Sequence, residues 1–244
     1  MKRKIFSIVL AVVFMMTSGV TVFAETGEDK VFNKEALKEA DVLAEYDTLE
    51  YTMTALEVDG QYVTIADYGS YYEVSRRPVD SYVITLEKYD SDGNIISSEI
   101  CDYSYLEEEL ANEEEMEIEP YAIGDYQRTI SNYEYEIDGG AGNRYEIWTC
   151  TRRENEKIRP VHDTTSALFE RLDHWRTLVN YIDQYEIDLG VSAGQTLAQT
   201  VIEVYFLKSP TAAVTLLTGI GEAIDIFGNY DETIQTADRV FDRL

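Results

Sequence analysis

The stretch DTTSALFERLDHWRTLVNYIDQYEIDLGVSAGQTLAQTVIEVYFLKSPTAAVTLLTGIGEAIDIFGNYDETIQTADRVFDRL, residues 163–244, carries helix start and stop residues in series. Asp163 or Thr164 caps a first helix in which Leu168, Leu172, Trp175, Val179, Ile182 and Tyr185 recur at helical spacing, and Gly190 ends it. Ser192 and Gln195 form a capping box for a second helix, whose apolar stripe is Leu197, Val201, Val204 and Tyr205. Ser209 caps a third helix and Pro210 opens it, because proline at the first helical position lacks only an amide hydrogen that has no partner there. Gly228 closes that helix, and Asp231 caps a fourth carried by Ile234, Ala237, Phe241 and Leu244. The spacing predicts a C-terminal bundle of about four helices over residues 161–244.

Upstream of the bundle the period changes. From Tyr46 to Tyr105 the chain is rich in Tyr, Val, Ile and Thr with Asp and Gly as punctuation, the pattern of half-buried strands. Asp59-Gly60 marks a two-residue hairpin between 52–58 and 61–66, since both central positions of the favoured turn need positive φ. Residues 90–94 mark a second hairpin, between 82–89 and 95–101, and 138–143 a third, between 126–137 and 144–152. Before these, residues 30–45 place Leu37, Ala40, Leu43 and Ala44 on one side, which predicts a short surface helix capped by Asn33. Between the hairpins, residues 107–119 hold eight glutamates and no basic residue, the composition of a solvated linker, with Leu110, Met116 and Ile118 leaving room for a short frayed helix or strand. The fold class expected is α+β: an N-terminal antiparallel β region with hairpins, then the helical bundle. Its divisions are 1–24, an acidic β-rich region at 25–106, the linker at 107–120, a β-hairpin at 121–160, and the bundle at 161–244.

Residues 1–24 begin Lys2-Arg3-Lys4, continue through the apolar run 5–16 and end in Val22-Phe23-Ala24, the layout of a secretory signal peptide cleaved after Ala24. The expected location is extracellular. That leader holds three of the 20 basic residues and none of the 47 acidic ones, so cleavage makes the chain more acidic than its overall net charge of −27. Such a field opposes nucleic acid and anionic membrane surfaces as electrostatic partners. The 45% hydrophobic content and 19 tyrosines exceed those of a disordered acidic chain, so a folded core is expected.

Signs of catalysis are sparse. His162 and His174 have no helical zinc-binding spacing, no Gly-x-Ser-x-Gly elbow is present, and the glycines at 139–142 lead to another strand and not to the helix a phosphate loop requires. Asp90, Asp92 and Asn94 start like a calcium loop, but Ile95 and Cys101 stand where Gly and a bidentate Glu belong, so a hairpin turn is the better reading. Cys101 and Cys150, an even pair at strand ends in an exported chain, are expected to form a disulfide. Arg152, Arg153, Lys157 and Arg159 form a basic cluster suited to pairing with nearby carboxylates. In the third helix, Leu216, Leu217, Gly219, Ile220, Gly221, Ile224 and Phe227 combine apolar bulk with small residues. They suit either the buried central helix of the bundle, with Thr211, Thr215 and Thr218 turned to solvent or to its neighbours, or a candidate membrane or partner surface.

No catalytic residue, metal site or cofactor is assigned. The leading expectation is a secreted, non-enzymatic interaction protein with a protein or cell-surface partner. The plan of an exported acidic β-rich half followed by a helical, small-residue tail resembles the layout of some large secreted bacteriocins. That resemblance implies an antimicrobial, membrane-perturbing alternative acting through the C-terminal helices. A hydrolase using unidentified carboxylates is the third class.

Overall fold

The computed structural model describes residues 40–112, 128–139 and 146–244, together with the backbone of 23–26, 29–32 and 126–127. The first strands, β1 (Phe23–Thr26) and β2 (Asp29–Phe32), form a two-stranded antiparallel pair. The expected cleavage point after Ala24 falls within β1, and residues 1–22 of the expected leader lie outside the described residues.

A six-stranded antiparallel meander follows, in the order β3 (Asp41–Asp47), β4 (Thr52–Val58), β5 (Gln61–Asp67), β6 (Tyr71–Pro78), β7 (Val83–Asp90) and β8 (Ile95–Asp102). Both hairpin readings here hold. Asp59 and Gly60 take φ of 50° and 73°, the left-handed pair a two-residue turn requires. In the second turn the Asp90 carboxylate accepts from the amides of Asp92 and Asn94 at 2.9 and 2.8 Å. The helix expected over 30–45 is not formed at either end, since 30–32 belong to β2 and 41–45 to β3. Asp41–Asp47 is strand β3, because its partners on β4 place Ala44 and Tyr46 against the core; residues 33–39 lie outside the described residues. Tertiary pairing overrides the helical period there.

The first part of the glutamate run is also structured. Tyr105–Asn112 forms helix α1, anchored by the fully buried Leu106. The single hairpin expected at 126–152 is a four-stranded sheet, in the order β12-β11-β10-β9: β9 (Tyr126–Arg128), β10 (Tyr133–Gly139), β11 (Glu146–Arg152) and β12 (Asn155–Val161). A turn at 129–132, where Asn132 has φ 65°, splits the first expected strand in two.

Helices α2 (Ala167–Ala193), α3 (Gln195–Leu207), α4 (Pro210–Leu217) and α5 (Ala223–Arg243) complete the chain, and the α+β class is observed. Their boundaries differ from the sequence reading. The α2 cap is Ser166, whose side chain accepts from the Phe169 amide, and α2 runs through Gly190 to Gly194, whose φ of 86° makes the break. The Ser192 capping box is therefore not used. Ser209 caps α4 as expected, accepting from the Thr211 amide, with Pro210 beside it.

The third expected helix breaks after Leu217, at Gly219 and Gly221, with φ of 92° and 36°. A new helix then continues through Gly228 and Asp231, which are neither stop nor cap. Gly228 sits where a Cβ would meet the Tyr46 ring at 3.2 Å, so glycine there lets α5 approach β3. One face of the six-stranded sheet carries α4, while α2 and α5 pair with each other and pack on the four-stranded sheet. One cluster of buried residues runs through both sheets and the helices between them.

Candidate functional site

The seven residues read as a membrane or partner surface separate in the structure. Leu216, Leu217 and Phe227 are fully buried and Ile224 nearly so, which removes them from any resting surface. Gly219 and Gly221 are exposed and Ile220 half-buried at the α4–α5 turn. Nor are Thr211, Thr215 and Thr218 turned to solvent, since all three are buried. The Thr215 hydroxyl donates to Thr64 of β5 at 2.8 Å, and the Ser75 hydroxyl of β6 donates to the Thr211 carbonyl at 2.7 Å. Among the described residues no helix is long and apolar enough to cross a membrane.

Beside these hydroxyls lies Arg77, 4% exposed, on β6. Its Nε donates to the Thr215 carbonyl at 2.8 Å and its Nη2 to the Thr218 carbonyl at 3.0 Å, so the guanidinium caps the carboxyl end of α4. Nη1 donates to the Ser81 carbonyl at 3.0 Å, and the Tyr62 and Tyr82 rings flank the group at 4.8 and 5.0 Å.

Cys101 and Cys150 are separate buried thiols, on β8 of one sheet and β11 of the other, and the expected bridge is not formed. Cys101 pairs across from Ile84, whereas Cys150 lies between Tyr135 and Lys157, so each thiol is held by its own sheet. Burial pushes the Cys150 thiol up to about 12. Of the basic cluster, Arg152, Lys157 and Arg159 gather on the end of α5, while Arg153 lies over the Phe206 ring of α3 at 4.6 Å. Arg152 donates to Asp242 at 2.9 Å, while Lys157 Nζ and Arg159 Nε donate to the carbonyls of Phe241 and Leu244 at 2.5 Å each. Cations at a helix carboxyl end meet its concentrated carbonyl charge, a partner the sequence reading did not specify. His162 and His174 are exposed.

The site with the most developed chemistry is one that the sequence reading missed. A cleft of about 340 Å³ opens where the six-stranded sheet, β11, α3 and α5 converge. Its aromatic walls are Tyr51, Tyr68 and Tyr205, and Glu50, Arg152, Asp238, Arg239 and Asp242 surround them. Beneath lies Asp231, with no exposed surface, accepting from the Tyr51 hydroxyl, from the Tyr205 hydroxyl at 2.8 Å and from Gln235 Nε2 at 3.0 Å. Gln235 Oε1 in turn accepts from the Leu49 amide at 3.0 Å, which ties the β3–β4 turn to α5.

Burial raises the Asp231 pKa, and the bonds from Tyr51, Tyr205 and Gln235 act against that rise. Burial and then Asp231 push both tyrosines well above the ordinary phenol value, so each hydroxyl keeps its proton and donates. Tyr68 leans on Tyr51 with ring centroids 4.8 Å apart and stacks on Tyr71 at 4.3 Å. The rings are thus fixed before any ligand arrives.

These tyrosines stand at the start of β4, after β5 and within α3, so no local motif unites them. The clue available in the sequence was the abundance of tyrosine beside an acidic residue, Asp231, set between Phe227 and Ile234 on an apolar helical stripe. Comparison with protein-family models, curated proteins and solved structures yields no match.

Proposed function

We propose that this chain is an exported, non-enzymatic binding protein that receives in the tyrosine cleft a group presented by another molecule. The observation that carries the reading is the anchoring of Tyr51 and Tyr205 on Asp231, which fixes the orientation of two of the three rings lining the cleft. Rigid aromatic faces bind with little loss of side-chain entropy. The surrounding charges of both signs suit a ligand with a flat face and polar edges. Binding is favoured over hydrolysis because the best-placed carboxylates are engaged: Asp231 by three donors, and Asp238 by the Tyr133 hydroxyl at 2.8 Å. Membrane perturbation through the C-terminal helices is the alternative, and it requires α4 to leave the sheet that Arg77 and Thr215 hold.

The test is to screen the secreted chain against glycan and peptide arrays, then repeat any hit with Tyr68→Ala, which removes one wall without touching Asp231. A ligand that loses roughly tenfold or more in affinity supports the cleft. A ligand indifferent to Tyr68→Ala, or one that is chemically turned over, refutes the reading. N-terminal sequencing of secreted material beginning at Glu25 supports export, and an intact Met1 refutes cleavage.

A further inference from the structure

Strand β3 forms one edge of the six-stranded sheet. Its register with β4 shifts between Val42 and Ala44, so Leu43 is the extra residue of a bulge. Val42 and Leu43 are 55% and 44% exposed. Beside them is a dimple of about 270 Å³ lined by Leu43, Ala44, Gly219, Ile220, Gly221 and Ile224. The positive φ of Gly219 and Gly221 belongs to the break between α4 and α5; the bare Gly219 makes room for the Tyr62 ring, and the bare Gly221 leaves open space beside the dimple.

Edge strands are commonly protected by charges, proline or bulges; Asp41–Asp47 has no lysine or proline, and its bulge and acidic charges oppose pairing with another acidic strand more than with a basic one. It carries Asp41, Glu45 and Asp47, all exposed, and the dimple's rim adds Glu222 and Asp225, with no basic residue in 41–47 or 219–225.

From this juxtaposition we infer that β3 accepts an extended, basic segment of another protein as a seventh strand, with one apolar side chain seated in the dimple. Edge addition supplies backbone hydrogen bonds, the dimple sets register, and the carboxylates select the charge. A second copy of this chain is disfavoured as occupant, because it would bring Asp41, Glu45 and Asp47 against themselves. The surface is separate from the tyrosine cleft and stands or falls independently of it.

The probe is a capped, fluorescent Lys-Val-Lys-Leu-Lys-Val-Lys peptide, compared with a version N-methylated at alternate residues and with one carrying Glu in place of Lys. Fluorescence anisotropy with the full chain near physiological salt should show saturable binding of the first peptide, at least about tenfold weaker binding of the N-methylated one, and none of the acidic one. Leu43→Ser and Ile220→Ser, verified as folded by circular dichroism, should each weaken binding by about tenfold. Equal affinity for the plain and N-methylated peptides would show general charge attraction and overturn the proposal. So would indifference to both substitutions, or failure of the plain peptide to bind. Self-association abolished by Leu43→Ser, without peptide binding, would assign the edge to a second copy and overturn it as well.

Discussion

Where α4 crosses the six-stranded sheet, the buried contacts include the hydroxyls of Thr64, Ser75, Thr211 and Thr215 and the guanidinium of Arg77. Where α2 and α5 meet the four-stranded sheet they are mainly aromatic: Trp175 lies 5.9 Å from Tyr133 and 5.3 Å from Phe241, and Trp148 is set edge-on to Phe169 at 6.1 Å. Apolar packing is strong but tolerant, since a ring can be replaced by another of similar volume. Hydrogen bonds are directional, and a buried one left unmade costs more than a made one contributes. The polar interface therefore fixes the rotation and height of α4, while the aromatic interface supplies much of the burial.

The largest expected loss is at the aromatic interface. Trp175→Ala should destabilise the chain by about 3–5 kcal/mol, by removing a fully buried ring and the Nε1 donor to the Glu134 carbonyl. Trp175→Phe should recover part of that loss in a denaturant melt. Arg77→Met should cost roughly 3 kcal/mol, because the carbonyls of Thr215 and Thr218 remain buried and cannot be replaced with their donor. Arg77→Lys should recover little, since an ammonium cannot span carbonyls on both sides as a guanidinium fork does. If lysine rescues Arg77 as well as phenylalanine rescues Trp175, the contrast between the interfaces is broken.

Glu186 is a polar exception on the aromatic side. Fully within α2 and 2% exposed, it accepts from the amides of Ile130 and Ser131 and so holds the turn between β9 and β10. Burial raises its pKa from 4.5 to about 7, although the Ser131 and Ile130 bonds oppose the shift. The folded chain therefore keeps a proton that the unfolded chain has released. The resulting stability is complete below about pH 4.5 and declines as pH rises through about 7, by up to roughly 3 kcal/mol. Glu186→Gln should flatten that part of the stability profile, and an unchanged slope in the variant would remove Glu186 as its source.

The contrast between the interfaces also marks where the sequence was legible. Trp175, Val179 and Ile182 announce a buried face by helical spacing, and Asp59-Gly60 announces its turn by backbone chemistry. Arg77 and the threonines do not, because each reads as a solvent residue until its partner is known. Thr211 and Thr215 share one helical face, but only Ser75 and Thr64, far away in the chain, reveal that the face is buried. The small residues after Leu217 were visible, yet spacing alone did not show that Gly219 and Gly221 turn the chain while Gly228 continues a helix. The cleft was hidden for the same reason. Asp231 has the residue type of a cap, and only the hydroxyls of Tyr51 and Tyr205 disclose that it is buried inside α5.

The smallest expected effect tests whether the hydroxyls act as a unit. Thr215→Val keeps the shape but removes the donor to Thr64 and the link to Ser75, leaving the buried Thr64 hydroxyl to find a new partner while Ser75 keeps its bond to the Thr211 carbonyl; it should cost about 1–2 kcal/mol. Ser75→Ala should cost about 1 kcal/mol, because it takes the donor from the Thr211 carbonyl, toward which the Thr215 hydroxyl, 2.9 Å away, can turn its one proton only by giving up Thr64. If the two side chains share one network, the double variant loses less than the singles combined, since either substitution alone already removes the Ser75–Thr215 contact. A double-mutant cycle read by denaturant melts should therefore give a coupling of at least about 0.5 kcal/mol. Strict additivity would mean that each hydroxyl serves α4 separately, and the orientation of that helix would then rest on Arg77.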